Sequence, residues 1–215
     1  MQAAIKGGIL AGIVLFIWGT ISWMVLPWHT ATLHGFKNEK VVADIVTANI
    51  SQSGAYLLPA HMQAPAGQSQ QIQALTSQNQ TPQTPSSQNQ QQSQVNQNQA
   101  AQVQADQSQL AQPFIFASVR LEGAPSMTSA VILGLLSQII AAVLVGWLLT
   151  KTMGLSYFGR VGFVVVFAIA ASIVTHGSYW NWFGFDTAYT FVAYADLIIG
   201  WFLAGLVLAK CCYKE

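Results

Sequence analysis

The sequence predicts an all-α membrane protein. The expected form is a four-helix transmembrane bundle with a small extracytoplasmic cap and a disordered Gln-rich insert. Three observations carry this. The 215 residues are 53% hydrophobic and only 7% charged, whereas soluble domains carry about a quarter charged residues. Four apolar stretches reach or approach the roughly 20 residues needed to cross a hydrocarbon core about 30 Å thick. Nearly every charge lies outside those stretches, and Asp196 is the exception.

The first stretch, residues 7–26, follows Lys6 and stops at Pro27, which cannot continue a helix ladder. It is longer than an ordinary signal-peptide core and no small-x-small cleavage site follows, so it is expected to be a retained transmembrane helix within residues 1–27. Residues 28–62 then form an extracytoplasmic segment. Asn38 is placed to cap a short helix ending near Asn49, with Glu39 at its positive end. Val41, Val42, Ile45 and Val46 share one face of that helix. It lacks the basic face of a membrane-surface helix, so packing against the protein is its expected use.

Residues 63–112 contain 20 Gln among 50 residues, with Ser, Asn, Thr and Pro beside them. Such a composition cannot bury a core, so a disordered linker is expected rather than a β-aggregating tract. Short extended segments flank it, Ala55-Tyr56-Leu57-Leu58-Pro59 before and Pro113-Phe114-Ile115-Phe116-Ala117-Ser118-Val119 after. Both are rich in aromatic or branched residues and bounded by Pro or Gly. They can pair as two strands with the tract as a long loop, because loop-closure cost rises slowly with length. The second extracytoplasmic segment, residues 113–126, leads into transmembrane helices 2–4 within residues 127–215. Their apolar stretches are 127–149, 161–175 and 188–208, and Tyr157-Phe158 and Tyr179-Trp180 can extend the short third one into the interfaces.

Lys and Arg set the expected orientation. With the N-terminus inside, Lys6, Lys151, Arg160, Lys210 and Lys214 are internal, and the short outer loop 176–187 carries no Lys or Arg. Trp23, Trp28, Tyr179, Trp180 and Trp182 then form an outer aromatic belt. Both termini are expected in the cytoplasm, where Cys211 and Cys212 remain free thiols. A net charge of +1 with no basic stripe gives no footprint for nucleic acid. The expected partners are the lipid bilayer and other membrane proteins or further copies of the chain.

Asp196 is the leading candidate site. A carboxylate near the membrane centre costs at least about 2.5 kcal/mol, so it is expected to face protein or water. Ala193, Gly200 and Ala204 lie on the same helical face and form a small-residue seam where another helix can approach. At 1.5 Å per residue, Asp196 lies about 12 Å below the outer boundary. Gln138, Ser137 and Thr20 fall at a comparable depth and are candidate hydrogen-bond partners. Two roles follow. Asp196 is either a structural carboxyl bonded to Gln138 or Ser137, or a proton- or cation-binding group in an outward-facing cavity.

Other chemistry has weaker signals. His29, His34 and His176 lie at the expected outer mouth and could contribute to a zinc site, but their spacing is not that of a metal motif. No His lies deep, so no haem or other cofactor is expected. Asp186 stands where an N-cap of the fourth helix is needed. Gly8 and Gly12 make a G-x-x-x-G pattern, a mark of close helix packing within the bundle or at a dimer face. There is no G-x-S-x-G, H-E-x-x-H or Walker motif, and Ser22, Ser137 and Ser172 show no evident His/Asp arrangement, so an enzyme is not expected.

Trp23-Met24-Val25-Leu26-Pro27-Trp28-His29, Ser53-Gly54-Ala55-Tyr56-Leu57-Leu58-Pro59, Tyr179-Trp180-Asn181-Trp182-Phe183-Gly184 and Ala195-Asp196-Leu197-Ile198-Ile199-Gly200-Trp201 together resemble a family of small bacterial inner-membrane proteins with four transmembrane helices. The resemblance omits the Gln-rich tract. It implies a bacterial inner-membrane setting and carries no activity or site residue. The leading functional expectation is a non-enzymatic accessory or structural membrane component. The alternatives are a small proton- or ion-coupled protein using Asp196, and an outer-mouth metal-binding protein.

Overall fold

The structure, a computed structural model, describes residues 2–59, 113–152 and 154–212. The Gln-rich tract lies outside the described residues. The chain forms two compact units, one from Met1–Ser51 with Glu122–Glu215 and one from Gln52–Leu121. In the first unit the helices are α1 (Gln2–Met24), α2 (Trp28–Ala31), α3 (Glu39–Asn49), α4 (Met127–Leu149), α5 (Tyr157–Phe183) and α6 (Thr187–Cys211). The second unit holds β1 (Gly54–Leu58) and β2 (Ile115–Val119).

Helices α1, α4, α5 and α6 are each long and apolar enough to cross a membrane, the architecture of a multi-pass membrane protein. Their outward faces show why. Ile17, Leu133, Phe158, Val166 and Phe191 are all more than half exposed. A continuous apolar exterior of this kind needs a membrane or a partner to cover it. Packing runs in the order α4–α1–α6–α5, and α4 touches α5 and α6 only slightly. One core nonetheless draws on all four helices, through Ala11 and Leu15, Ala142 and Leu149, Val164, and Ala204 and Leu208.

Local signals fix the helix ends. Asn38 accepts from Val41 N–H at 3.1 Å, Ser126 from Ser129 N–H at 3.2 Å and Ser156 from Gly159 N–H at 3.2 Å. Each satisfies one of the orphan amides of a first turn. The third span is longer than its apolar run of 161–175. Ser156 caps α5, which begins at Tyr157 and so takes in the expected extension through Tyr157-Phe158. At the other end Thr175 and Ser178 donate to Ala171 O and Val174 O within their own helix, so polarity rises without breaking it. Gly184 stops it at φ 64°, a left-handed conformation that costs glycine little.

Helix α3 forms over the expected residues but buries none of them. The expectation that it packs against the protein is corrected to this extent. Val42 and Val46 are half-buried, while Val41 and Ile45 remain exposed. The strands of the second unit pair antiparallel, from Gly54 opposite Val119 to Leu58 opposite Ile115. Ser53 Oγ also accepts from Leu121 N–H at 2.9 Å.

Arg160 closes the end of the bundle that holds the α6 C-terminus. It is 6% exposed. Its Nη1 donates to Cys212 O at 2.6 Å and its Nε to Leu155 O at 3.2 Å. A fixed cation there complements the negative end of α6. The buried Cys212 thiol is pushed up, first by burial and then by the Cys211 thiol, with Arg160 opposing both. Arg160→Leu is expected to cost about 2–3 kcal/mol, since hydrogen bonds from charged donors contribute on that scale. Arg160→Lys is expected to recover only part, because an ammonium cannot reproduce the planar two-carbonyl grip. Unfolding in detergent with the lysine variant fully as stable as the parent would show that charge alone matters.

Candidate functional site

The site is built at the opposite end of the bundle, where α1 finishes and α6 begins. The small-residue seam of α6 lets α1 come close. A Cβ added at Gly200 would stand 2.9 Å from Trp18 Cδ1, and Ala204 is fully buried. Trp18 Nε1 donates to the backbone carbonyl of Asp196 at 3.0 Å. That bond fixes the depth of α6 against α1 and leaves the Asp196 carboxylate free to meet another group.

The group it meets is His29. Pro27 prevents α1 from running on. The chain turns and re-enters a single helical turn, α2, which is tied back onto α1 by one indole. Trp28 Nε1 donates both to Ser22 O at 3.1 Å and to Ser22 Oγ at 3.0 Å. His29 is thereby held at 2% exposure, its Nε2 3.0 Å from Ser22 Oγ and 3.5 Å from Asp196 Oδ2. Trp23 stacks on the imidazole at 3.9 Å between ring centroids, with the planes 8° apart. Trp28 packs edge-on against it at 5.7 Å.

This geometry permits two proton arrangements. With the Nε2 lone pair free, Ser22 donates its hydroxyl hydrogen to the ring while accepting from Trp28. With Nε2 protonated, the imidazole donates toward Ser22 and Asp196. The 3.5 Å gap to Asp196 is looser than a charge-assisted hydrogen bond, which closes to about 2.7–2.9 Å. It is not the relay of a Ser-His-Asp hydrolase. There the serine and the carboxylate engage opposite ring nitrogens, whereas here both meet Nε2. Two buried polar atoms of the pair, His29 Nδ1 and Asp196 Oδ1, have no hydrogen-bond partner among the described residues.

Beside the pair lies a cavity of about 270 Å³. Its polar lining is Asp196, His29, His176 and Gln138. Trp18, Trp23, Tyr189 and Trp201 supply its aromatic walls, and no Lys or Arg lines it. His176 reaches it from α5 and packs edge-on against Tyr194, with ring centroids 6.0 Å apart.

Of the partners expected for Asp196 from depth alone, Gln138 lines the same cavity. Ser137 and Thr20 do not join it. Both are exposed, with their hydroxyls donating to Gly134 O at 2.8 Å and Phe16 O at 2.9 Å in their own helices. Equal depth on a helix does not fix equal direction. His29 and His176 share the cavity, but His34 is exposed. Among the described residues no three His, Cys, Asp or Glu side chains gather closely enough to hold a metal ion, so the three histidines do not form the zinc cluster considered above. Asp186 caps α6, with Oδ1 accepting from Tyr189 N–H at 2.9 Å.

The sequence reading missed His29 as the partner of Asp196, and it missed Ser22, whose hydroxyl meets the same His29 nitrogen. One signal was available. Ser22 and His29 lie seven residues apart with Pro27 between them, so a chain forced to turn there brings the two together. Comparison with protein-family models, with curated proteins and with solved structures finds no match.

Proposed function

We propose that this chain is a small proton- or ion-coupled protein of the bacterial inner membrane, non-enzymatic, with both termini in the cytoplasm and the cavity opening to the periplasmic side. The observation that carries the reading is that Asp196, a carboxylate within an otherwise apolar spanning helix, faces a buried histidine at 3.5 Å and lines a cavity. Intramembrane carboxylates are rare and commonly mark proton or ion paths. A purely structural carboxyl would be expected to have both oxygens bonded, yet Oδ1 has no partner among the described residues. The positive residues Lys6, Lys151, Arg160 and Lys210 at the opposite end support the orientation.

In liposomes holding the protein and a trapped pH dye, an imposed pH gradient is expected to collapse faster than in empty vesicles. Asp196→Asn is expected to bring the rate back to that of empty vesicles. A variant that moves protons as fast as the parent would sink the reading.

An accessory role in a larger assembly is the second reading. It is favoured by a wholly apolar cleft of about 400 Å³ lined by residues including Leu144, Trp147 and Phe167, where α4 stands apart from α5. Stable co-purification of a second membrane protein in mild detergent is the observation that would favour it.

A further inference from the structure

We infer that the cavity is a binding site for a small organic monocation, of the quaternary or alkyl-ammonium class, which competes there with a proton. The inference rests on the reading of Asp196 and His29 as a proton-exchanging pair. Four observations select the ligand class. Among the described residues the only acidic group in the lining is Asp196, and its buried Oδ1 has no partner there. No Lys or Arg is present to hold an anion such as a phosphate headgroup. The walls are Trp18, Trp23, Tyr189 and Trp201, and the faces of Trp and Tyr attract cations most strongly where water is excluded. The volume, about 270 Å³, suits a compact ligand rather than a drug-sized one, which needs about 300–1,000 Å³.

A bare metal ion is disfavoured by the same lining. Hard cations such as calcium take about six to eight oxygen ligands, and here Asp196 and Gln138 are the main oxygen donors. An organic cation needs no such shell, because the aromatic faces and one carboxylate meet its diffuse charge.

The exchange conserves charge. When His29 carries the proton, Asp196 is already paired and a second cation would meet a neutral pair. When one monocation enters, one proton leaves the pair and the site's net charge is unchanged. The ionisable groups facing Asp196 are few. His29 comes from α2, His176 from α5 and Tyr189 from its own helix, and among the described residues α1 and α4 add no ionisable group to the lining. Competition between the cation and a proton is therefore expected to make choline bind more weakly at lower pH.

The test uses the full chain in detergent with choline as probe and 3,3-dimethyl-1-butanol as its uncharged isostere. Saturable change in tryptophan fluorescence is expected with choline and not with the alcohol. Asp196→Asn is expected to weaken choline at least about tenfold, and Trp201→Leu about tenfold, the scale of a desolvated cation–π contact. Calorimetry of the parent protein in buffers of different ionisation enthalpy needs no variant, and at the acid end of the pH series, where choline binding has weakened, it is expected to show about one proton released per choline bound. Equal responses to choline and the alcohol, or no saturable choline binding, would overturn the inference while leaving proton movement in vesicles to stand. Choline binding that depends on Asp196 but releases no proton would uphold the cation site and overturn the proton pair beneath it.

Discussion

His29→Leu is expected to destabilise the bundle by about 2–3 kcal/mol, because removing one partner leaves a buried polar group unsatisfied. The Asp196 side chain keeps 20% exposure and His29 2%. Leucine fills much of the imidazole's space but takes away the contact with Ser22 Oγ and leaves the carboxylate without its counterpart. Adding Asp196→Leu to the same chain is expected to restore about 1–2 kcal/mol rather than to subtract more, since contacting residues couple on that scale. The measurement is a double-mutant cycle of unfolding in mixed micelles. Strictly additive losses would mean that the two side chains do not recognise each other. Ser22→Ala is the useful control, because it removes one hydrogen bond and is expected to cost only about 1 kcal/mol.

That cycle also separates two uses of a buried pair. A structural pair can be exchanged for well-packed apolar side chains with little loss. The double leucine variant is then expected to fold yet to lose its response to protons and to choline. Stability and function would part company at the same two positions.

The bundle was legible because its physics is compositional. Apolar runs of membrane length, the Pro27 stop and the caps at Asn38 and Asp186 each act within a few residues of sequence. The seam of Ala193, Gly200 and Ala204 was legible too, because helical period alone puts small residues on one face. The partner of Asp196 was not. Depth along a helix is readable from sequence, but which way Thr20 and Ser137 point depends on how each helix is rotated against its neighbours. His29 belongs to no long helix. It reaches Asp196 only because a four-residue turn of helix folds back and is pinned by Trp28 to Ser22. The extension of the third span through Tyr157-Phe158 and Tyr179-Trp180 was legible as well, and although its last turns are polar enough to leave the hydropathy window, their hydroxyls bond within the helix and do not end it.

Gly12→Val is expected to prevent α1 from seating on α4, and to do so more severely than any side-chain change in the site. A Cβ at Gly12 would lie 2.5 Å from Ile139 Cα, and one at Gly8 would lie 2.5 Å from Val143 Cα. Those neighbours are backbone atoms, so no rotamer change can relieve the overlap, and the helices must separate. Overpacking a core costs about 1–3 kcal/mol when side chains can adjust. Here the loss is expected to exceed that range, because separating α1 from α4 also loosens contacts around Ala11, Leu15 and Ala142 in the shared core. Without a hydrophobic drive between helices in lipid, close packing of this kind is the main source of association. Gly12→Ala tests the backbone argument most sharply, since it adds only the Cβ. It is expected to lower the unfolding midpoint well below that of Gly19→Ala on the same helix, where an added Cβ meets nothing within 4 Å. Because α1 also carries Trp18 and Ser22, displacing it is expected to weaken choline binding and proton movement together. Equal midpoints for the two alanine variants would show that the α1–α4 contact is looser than the Gly8 and Gly12 distances require.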